Sequence, residues 1–448
     1  MPFAALQREL DERAARGLQR RRRVLESPQG ARVIVGDTTR CCEASGAGVS
    51  PPRLLPQTAG AAITSDLASV VDSPSRMASS SISDVSEANG KPYLSFCSND
   101  YLGLAGHPRL IAALQAGAQR YGAGSGASHL VSGHFAVHQQ LENELAAFAQ
   151  KPAALLFCTG YLANLGAVQA LVGRGDTVYA DKLNHASLND AMLLSRADVK
   201  RYRHSDIAHL EQLLKKTKGG RKLVITDAVF SMDGDMAPLP ELLALCERFD
   251  AWLLVDDAHG FGVLGDAGRG SLFRNKTPLP PGEGLGWGNS PRIIYMATLG
   301  KAAGVSGAFV AAEQVVIETL VQNARGYIYT TASPPALACA LLESLELLRE
   351  QEWRRAHLRK LIAQLRAGFS GLPWALPPSS TPIQPLLVGG NEDAVALSEG
   401  LRARGIWVPA IRPPTVPQGT ARLRISLSAA HSESDVTQLV ESLHELAR

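Results

Sequence analysis

The segment Tyr295–Ala308 reads YMATLGKAAGVSGA. Ahead of Lys301, the run PRIIYMAT is apolar and β-branched, which predicts a buried strand over 291–297. Behind it come only small residues, Ala302, Ala303 and Gly304, and then Val-Ser-Gly. A lysine at a strand end among glycines lies where something large approaches the backbone closely. An ammonium in such a place is desolvated, which lowers its pKa and frees the amine as a nucleophile. A lone lysine is ordinarily an exposed turn residue, so the functional reading needs support from elsewhere in the chain.

Two other strand ends supply it. In Ala251–Gly262, AWLLVDDAHGFG, an apolar strand runs into Asp256, Asp257 and His259. Ligands of open α/β sheets collect at the carboxyl ends of strands. An aspartate there suits a buried cationic ring nitrogen, and a histidine three residues on can reach the other side of the same ring. Side chains alternate along an extended segment, so only one of Asp256 and Asp257 can face that ring. In Leu155–Asn164, LLFCTGYLAN, a strand meets Gly160 and Tyr161 at the start of a helix, whose free N–H groups form an anion site. An anion cradle, a carboxylate and a Schiff-base-competent lysine together describe pyridoxal 5'-phosphate.

The chain resembles the α-oxoamine synthases, pyridoxal-phosphate enzymes with the aspartate aminotransferase-like fold. The resemblance rests on SNDYLGL (98–104), GSGASHLVSGHFAVHQQLE (124–142), DKLNHASL (181–188), VFSMDGDMAPL (229–239), VDDAHGFGVLG (255–265), TLGKAAGVSGA (298–308) and IRPPTVPQGTARLRISLSAAH (411–431). It implies that Lys301 carries the cofactor and later acts as the base. It selects Asp256 over Asp257 as partner of the ring nitrogen and gives His259 the ring 3-oxygen. It stacks His185 on the ring, where it later contacts the substrate, and places Ser231 against the ring oxygen. Gly160 and Thr298 would hold the phosphate, with Tyr161 as a further cofactor contact. Thr330 or Thr331 would reach the phosphate of the partner subunit, which implies a homodimer with shared sites.

Within the family, RPPTVPQGTARLR is most similar to members that condense L-alanine with a pimeloyl thioester, pimeloyl-CoA or a pimeloyl-carrier protein, with loss of CO2 in biotin synthesis. Glycine acetyltransferase, 5-aminolevulinate synthase and serine palmitoyltransferase share the cofactor residues and are the neighbouring alternatives. Arg412 and Thr415 resemble residues beside the acyl path. Arg424 is the expected clamp for the amino-acid carboxylate, since a fork of N–H donors matches it bidentately. Arg422 is the runner-up, on the same strand face. Alignment of LDERAARGLQRRRR puts the residue that meets the distal pimeloyl carboxylate at Arg20, with Arg21 one register away.

The rest of the chain is an α/β protein. Between Lys91 and Ala311, apolar strands alternate with helices, which argues a large, doubly wound, mainly parallel sheet domain. Helices over 313–325 and 334–368, the second broken near Gln351, lead to a smaller C-terminal α+β domain. The expected divisions are an N-terminal helical segment 1–36, a mostly disordered Ser/Ala/Gly/Pro-rich insertion 37–90, the large domain 91–330, and the helices and small domain 331–448. The 448 residues carry a net charge of +3, which gives no case for nucleic acid or anionic membrane. Six cysteines without a Cys-x-x-Cys pair indicate neither a metal site nor a disulfide framework, and fit a cytoplasmic protein. No apolar run approaches a membrane span, and the first residues lack the apolar core of a signal peptide.

Overall fold

The computed structural model describes residues 11–12, 15, 25, 27–36, 90–273 and 287–448. Most of the helix expected over 3–26, with Arg20 and Arg21, lies outside the described residues, as does the insertion up to residue 89. The chain divides into two units, 1–28 with 32–93, and 29–31 with 94–448. In the first, strand β1 (Arg32–Val35) buries Val33 and Val35. Strand β2 (Lys91–Ser95) crosses into the second unit, where Leu94 and Ser95 pair in parallel with β11 (Ile406–Trp407).

The second unit is built on seven short strands, most of them apolar runs. They are β3 (Ala153–Phe157), β4 (Thr177–Asp181), β5 (Asp198–Tyr202), β6 (Lys222–Asp227), β7 (Trp252–Asp256), β8 (Ile293–Thr298) and β9 (Ala308–Ala312). Their order in the sheet is β3-β9-β8-β7-β6-β4-β5. Only β9 runs against its neighbours; the other pairings are parallel. A parallel sheet covered on both faces needs apolar residues at both parities. In β7, Leu253 and Val255 join one core, while Leu254 joins the core on the opposite face.

This parity positions the site. The parallel strands present their carboxyl ends on one edge, and the turns that follow carry Gly160, His185, Ser231, His259 and Lys301. Helix Gly160–Leu171 covers the Leu254 face, where Ala163 and Ala167 enter the core. Helices Pro335–Glu350 and Glu352–Gly368 join at the non-helical Gln351. Beyond them β10 (Ile383–Gly389), β13 (Ala421–Ser426) and β12 (Ala410–Ile411) form an antiparallel sheet, in the order β10-β13-β12, flanked by helices Asn391–Ala403 and Glu433–Leu446. The expected helix over 313–325 is two pieces, Gln314–Asn323 and Arg325–Ile328, because buried Ala324 takes an extended conformation between them. No helix among the described residues is long and apolar enough to cross a membrane.

The turn 230–235 joins the large sheet to the C-terminal strands. Gly234 has φ +68°, and a Cβ there would lie 2.4 Å from the Ile383 carbonyl oxygen. The Gly234 carbonyl accepts hydrogen bonds from Ser379 Oγ and Thr381 Oγ1 at 2.9 and 3.2 Å. Gly219 has a similar φ of +72° in open space. Gly234→Ala is therefore expected to destabilise the protein by about 1–3 kcal/mol more than Gly219→Ala in urea unfolding, because the contact adds to the shared backbone strain. Equal losses would show that the turn is not pressed against β10.

Candidate active site

The loop after β8 folds back on itself, with Leu299 N–H donating to Gly307 O and Gly304 N–H to Lys301 O at 2.8 and 2.9 Å. This leaves Lys301 Nζ 2.9 Å from His259 Nε2. On the other side of that ring, Nδ1 lies 2.6 Å from the hydroxyl of fully buried Tyr101. Tyr101 donates to Asn99 Oδ1 at 3.1 Å. The network then assigns the proton to His259 Nδ1 and leaves Nε2 as the acceptor for Lys301. Burial, followed by the charges of Lys301 and Arg424, pushes His259 well below the usual histidine range, so the ring is neutral. Burial also lowers Lys301 to about 8, against the opposing pull of Asp256 and Asp227. The amine is thus substantially unprotonated slightly above neutral pH.

Strand parity separates the two neighbouring aspartates. Asp256 follows Leu254 and faces helix Gly160–Leu171, where Asn164 Nδ2 donates to its Oδ2 at 2.7 Å. Its Oδ1 accepts from Ala258 N–H at 3.0 Å. Asp257 follows Val255 to the opposite face. There it accepts from Ser271 N–H and Oγ–H at 2.7 and 2.6 Å and from Tyr295 at 3.0 Å. Burial raises Asp257 to about 7 in spite of the Ser271 bonds. Asp257 is a structural acceptor between a loop and β8.

Asp256 and His185 belong to one network. Asn164 Nδ2 also donates to Ser187 Oγ at 2.9 Å, and Ser187 Oγ lies 2.8 Å from His185 Nδ1. His185 caps helix Ala186–Leu194, and its own N–H donates to Asp227 Oδ2 at 2.7 Å. Asp227 ends β6 as Asp256 ends β7. Burial and then the Asp256 charge raise its carboxyl well above the usual range. Asn164 Oδ1 is buried with no partner, an orphan acceptor at the centre of the network.

The anion cradle forms at the start of helix Gly160–Leu171. Thr159 caps it, accepting from Leu162 N–H at 3.2 Å. A Cβ on Gly160 would sit 3.9 Å from Thr298 Oγ1, so the N-terminal amides and that hydroxyl share one wall. Thr298 Oγ–H donates to Gly307 O at 3.1 Å, and its oxygen accepts from Gly300 N–H at 3.4 Å. Tyr161 turns its hydroxyl to Asp190 and exposes its ring. Thr331 lies beside the cradle, its carbonyl 3.4 Å from Cys158 Sγ, and Thr330 precedes it.

The two candidate clamp arginines diverge. Arg424 donates to Ser231 O at 2.6 Å, to Asn99 Oδ1 at 3.2 Å and to Ser426 Oγ at 2.8 Å, all neutral acceptors. Its charge acts on Lys301 and His259. Arg422 forms an ion pair with Asp233. Arg412 and Thr415 sit in one turn, with Thr415 N–H donating to Arg412 O at 3.0 Å and Thr415 exposed. The structure thus gathers Lys301, His259, Asp256, His185, Thr298, Gly160, Ser231 and Arg424 around one strand edge. Sequence reasoning overlooked Asn99, Tyr101, Asn164 and Asp227. Two of these carried a signal: Asp227 ends an apolar strand as Asp256 does, and Asn164 lies one helical turn beyond Gly160.

The buried lysine has a measurable consequence in the cofactor-free protein. Its folded pKa of about 8 is below the unfolded value of 10.5. Between these values the unfolded chain holds one more proton, so this group makes stability rise with pH there. Below the window, the buried ammonium is a standing penalty. Lys301→Met is therefore expected to raise the unfolding midpoint of the cofactor-free protein at pH 7, by a margin that shrinks between pH 8 and 10.5. A less stable variant at pH 7 would contradict this.

The description "Aminotransferase class I and II" matches residues 91–443. The 8-amino-7-oxononanoate synthase of Nitrosomonas eutropha is 63% identical over 359 residues, covering 80% of this chain and 91% of that protein. A crystal structure of 8-amino-7-oxononanoate synthase from Francisella tularensis superposes with a TM-score of 0.65 at 32% identity, covering 79% of this chain and 97% of the other. Serine palmitoyltransferase of Sphingomonas wittichii has a TM-score of 0.80 at 26% identity, over 99% and 96% of the two chains. The chain belongs to the aminotransferase class I and II family and, within it, to the 8-amino-7-oxononanoate synthases.

Proposed function

We propose that this chain condenses L-alanine with a pimeloyl thioester, releasing CO2 and the free thiol, to give 8-amino-7-oxononanoate. The observation that carries the proposal is the identity with the synthases over most of the chain, together with the convergence of Lys301, Asp256, His185 and Arg424 at one sheet edge. The site's residues fit pyridoxal 5'-phosphate. A glycine-opened cradle beside Thr298 suits a phosphate, and a buried carboxylate suits a ring N–H. When bound, the cofactor supplies an aldehyde carbon for covalent attachment and a cationic ring that withdraws electrons from the substrate Cα.

The chain's own groups do the remainder. Lys301, with its lowered pKa, offers a neutral Nζ that attaches the cofactor and later takes the alanine Cα proton. Asp256, oriented by Asn164, would keep the ring nitrogen protonated. His185 would cover the ring and later meet the substrate, and His259 would meet the 3-oxygen. Ser231 would contact the ring oxygen, Gly160 and Thr298 would hold the phosphate, and Tyr161 would make a further cofactor contact. Arg424 clamps the alanine carboxylate, for which neutral partners leave its charge available. The Cα–acyl carbon bond forms as the thiolate leaves, the carboxylate departs as CO2, and a proton returns. Arg412 and Thr415 border the acyl path. The same reading makes the active form a cytoplasmic homodimer in which Thr330 or Thr331 serves the partner's phosphate, and it keeps domain divisions at 36/37, 90/91 and 330/331.

Three variants test the assignment. Lys301→Ala is expected to abolish turnover, and borohydride reduction of the holoenzyme followed by peptide mapping should label Lys301; label on another lysine would overturn the role. Asp256→Asn should retain cofactor yet lose about 100-fold or more in kcat, since a neutral partner no longer holds the ring proton. A pimeloyl chain ends in a carboxylate that is costly to leave unpaired in an apolar tunnel. Arg20→Ala is accordingly expected to raise KM for the pimeloyl thioester about tenfold or more, with alanine binding unchanged. An effect at Arg21 alone would shift the register by one, and no effect at either would argue against a dicarboxylic acyl group.

A further inference from the structure

His204 lies between two carboxylates. Its Nδ1 is 3.0 Å from Asp181 Oδ1 and its Nε2 is 2.8 Å from Asp235 Oδ2. A neutral imidazole donates one hydrogen bond, and an ionised carboxylate donates none. Two carboxylates on opposite nitrogens therefore require both nitrogens to be protonated. The edge of the ring packs on Phe230 at a centroid distance of 4.4 Å. Asp181 is nearly fully buried, and its other bonds come from Leu183 N–H and Ser205 N–H, both at 2.8 Å. The hydroxyl of Tyr202 and the carboxyl of Asp227 are further titratable groups near Asp181, and Arg203 is turned away to Asp206. Burial opposes the charge on His204, but the two aspartates outweigh it and raise the ring to about 10.

The two carboxylates belong to different turns. Asp181 ends β4 and opens the turn that delivers His185. Asp235 closes the turn 230–235, which carries Ser231, pairs Asp233 with Arg422 and offers the Ser231 carbonyl to Arg424. We propose that His204 is held as an imidazolium and is a positioning residue for the condensation, tying the turn that carries His185 to the turn that seats Arg424. This rests on the function proposed above. Loss of the bridge would let the two turns shift relative to each other, and displacements near 1 Å are enough to cost on the order of 100-fold in rate.

The test uses the cofactor-loaded full chain, with wild-type product formation as the control that decides the function itself. Nitrogen-detected NMR at pH 8.5 should show both His204 nitrogens protonated. His204→Gln is expected to lower kcat about tenfold or more and to change the visible circular dichroism of the bound cofactor. KM for the pimeloyl thioester should stay within about twofold. Asp235→Asn, at a part-exposed position, should move the same signals in the same direction. The double variant should be no worse than His204→Gln, because both act through one bridge. A neutral ring at pH 8.5 would overturn the proposal. So would His204→Gln with wild-type kcat and dichroism, even if its melting point falls. If His204→Gln does not fold, wild-type behaviour of Asp235→Asn would overturn it.

Discussion

A lysine amine taken out of water beside two carboxylates is the constraint around which the site is built. Burial makes the ammonium costly and Asp256 and Asp227 make it tolerable; the balance leaves Lys301 near 8 instead of 10.5. A charged imidazole at 2.9 Å would upset that balance, and His259 is kept neutral by the same burial. Two adjacent ionised carboxylates would upset it the other way, and the raised pKa of Asp227 prevents this. Each of these groups occupies a strand end because a parallel sheet places its carboxyl ends, and the turns after them, on a single edge.

The turn 230–235 transmits that geometry to the C-terminal strands. Its six residues seat Arg424 through the Ser231 carbonyl, bind Arg422 through Asp233 and press Gly234 against Ile383. They also bind His204 through Asp235. Arg424 therefore sits on β13 but takes its orientation from a loop of the large sheet. Most of the bonds at this junction are directed at backbone carbonyls of the turn.

Much of the sheet was readable in the sequence because most of its strands are apolar runs, four of them ended by Asp181, Asp227, Asp256 and Thr298. The expected β4 and β5 coincide with Thr177–Asp181 and Asp198–Tyr202, and the break near Gln351 appears at Gln351. Short irregular pieces were less readable. The π-helical turn His129–Gly133 has no periodicity to announce it, and the interruption lies at Ala324, which packs close to Gly166, where a Cβ would lie 3.1 Å from Ala324 Cβ. The main site residues were visible as motifs. Their supports, Asn164 and Asp227, were less so, because they act on another side chain or on a backbone N–H. Alternation along β7 also needed the structure to say which parity faces helix Gly160–Leu171, and hence which aspartate does.

The claim that this edge carries out a condensation with an acyl dicarboxylate is tested most directly by product analysis. Purified cofactor-loaded protein would be given L-alanine, glycine and L-serine in competition, with pimeloyl-, acetyl-, succinyl- and palmitoyl-CoA each supplied in turn, and the products resolved by mass spectrometry. The account predicts 8-amino-7-oxononanoate from L-alanine and pimeloyl-CoA as the dominant product. Preferential formation of an acetyl-, succinyl- or palmitoyl-derived amino ketone would contradict it.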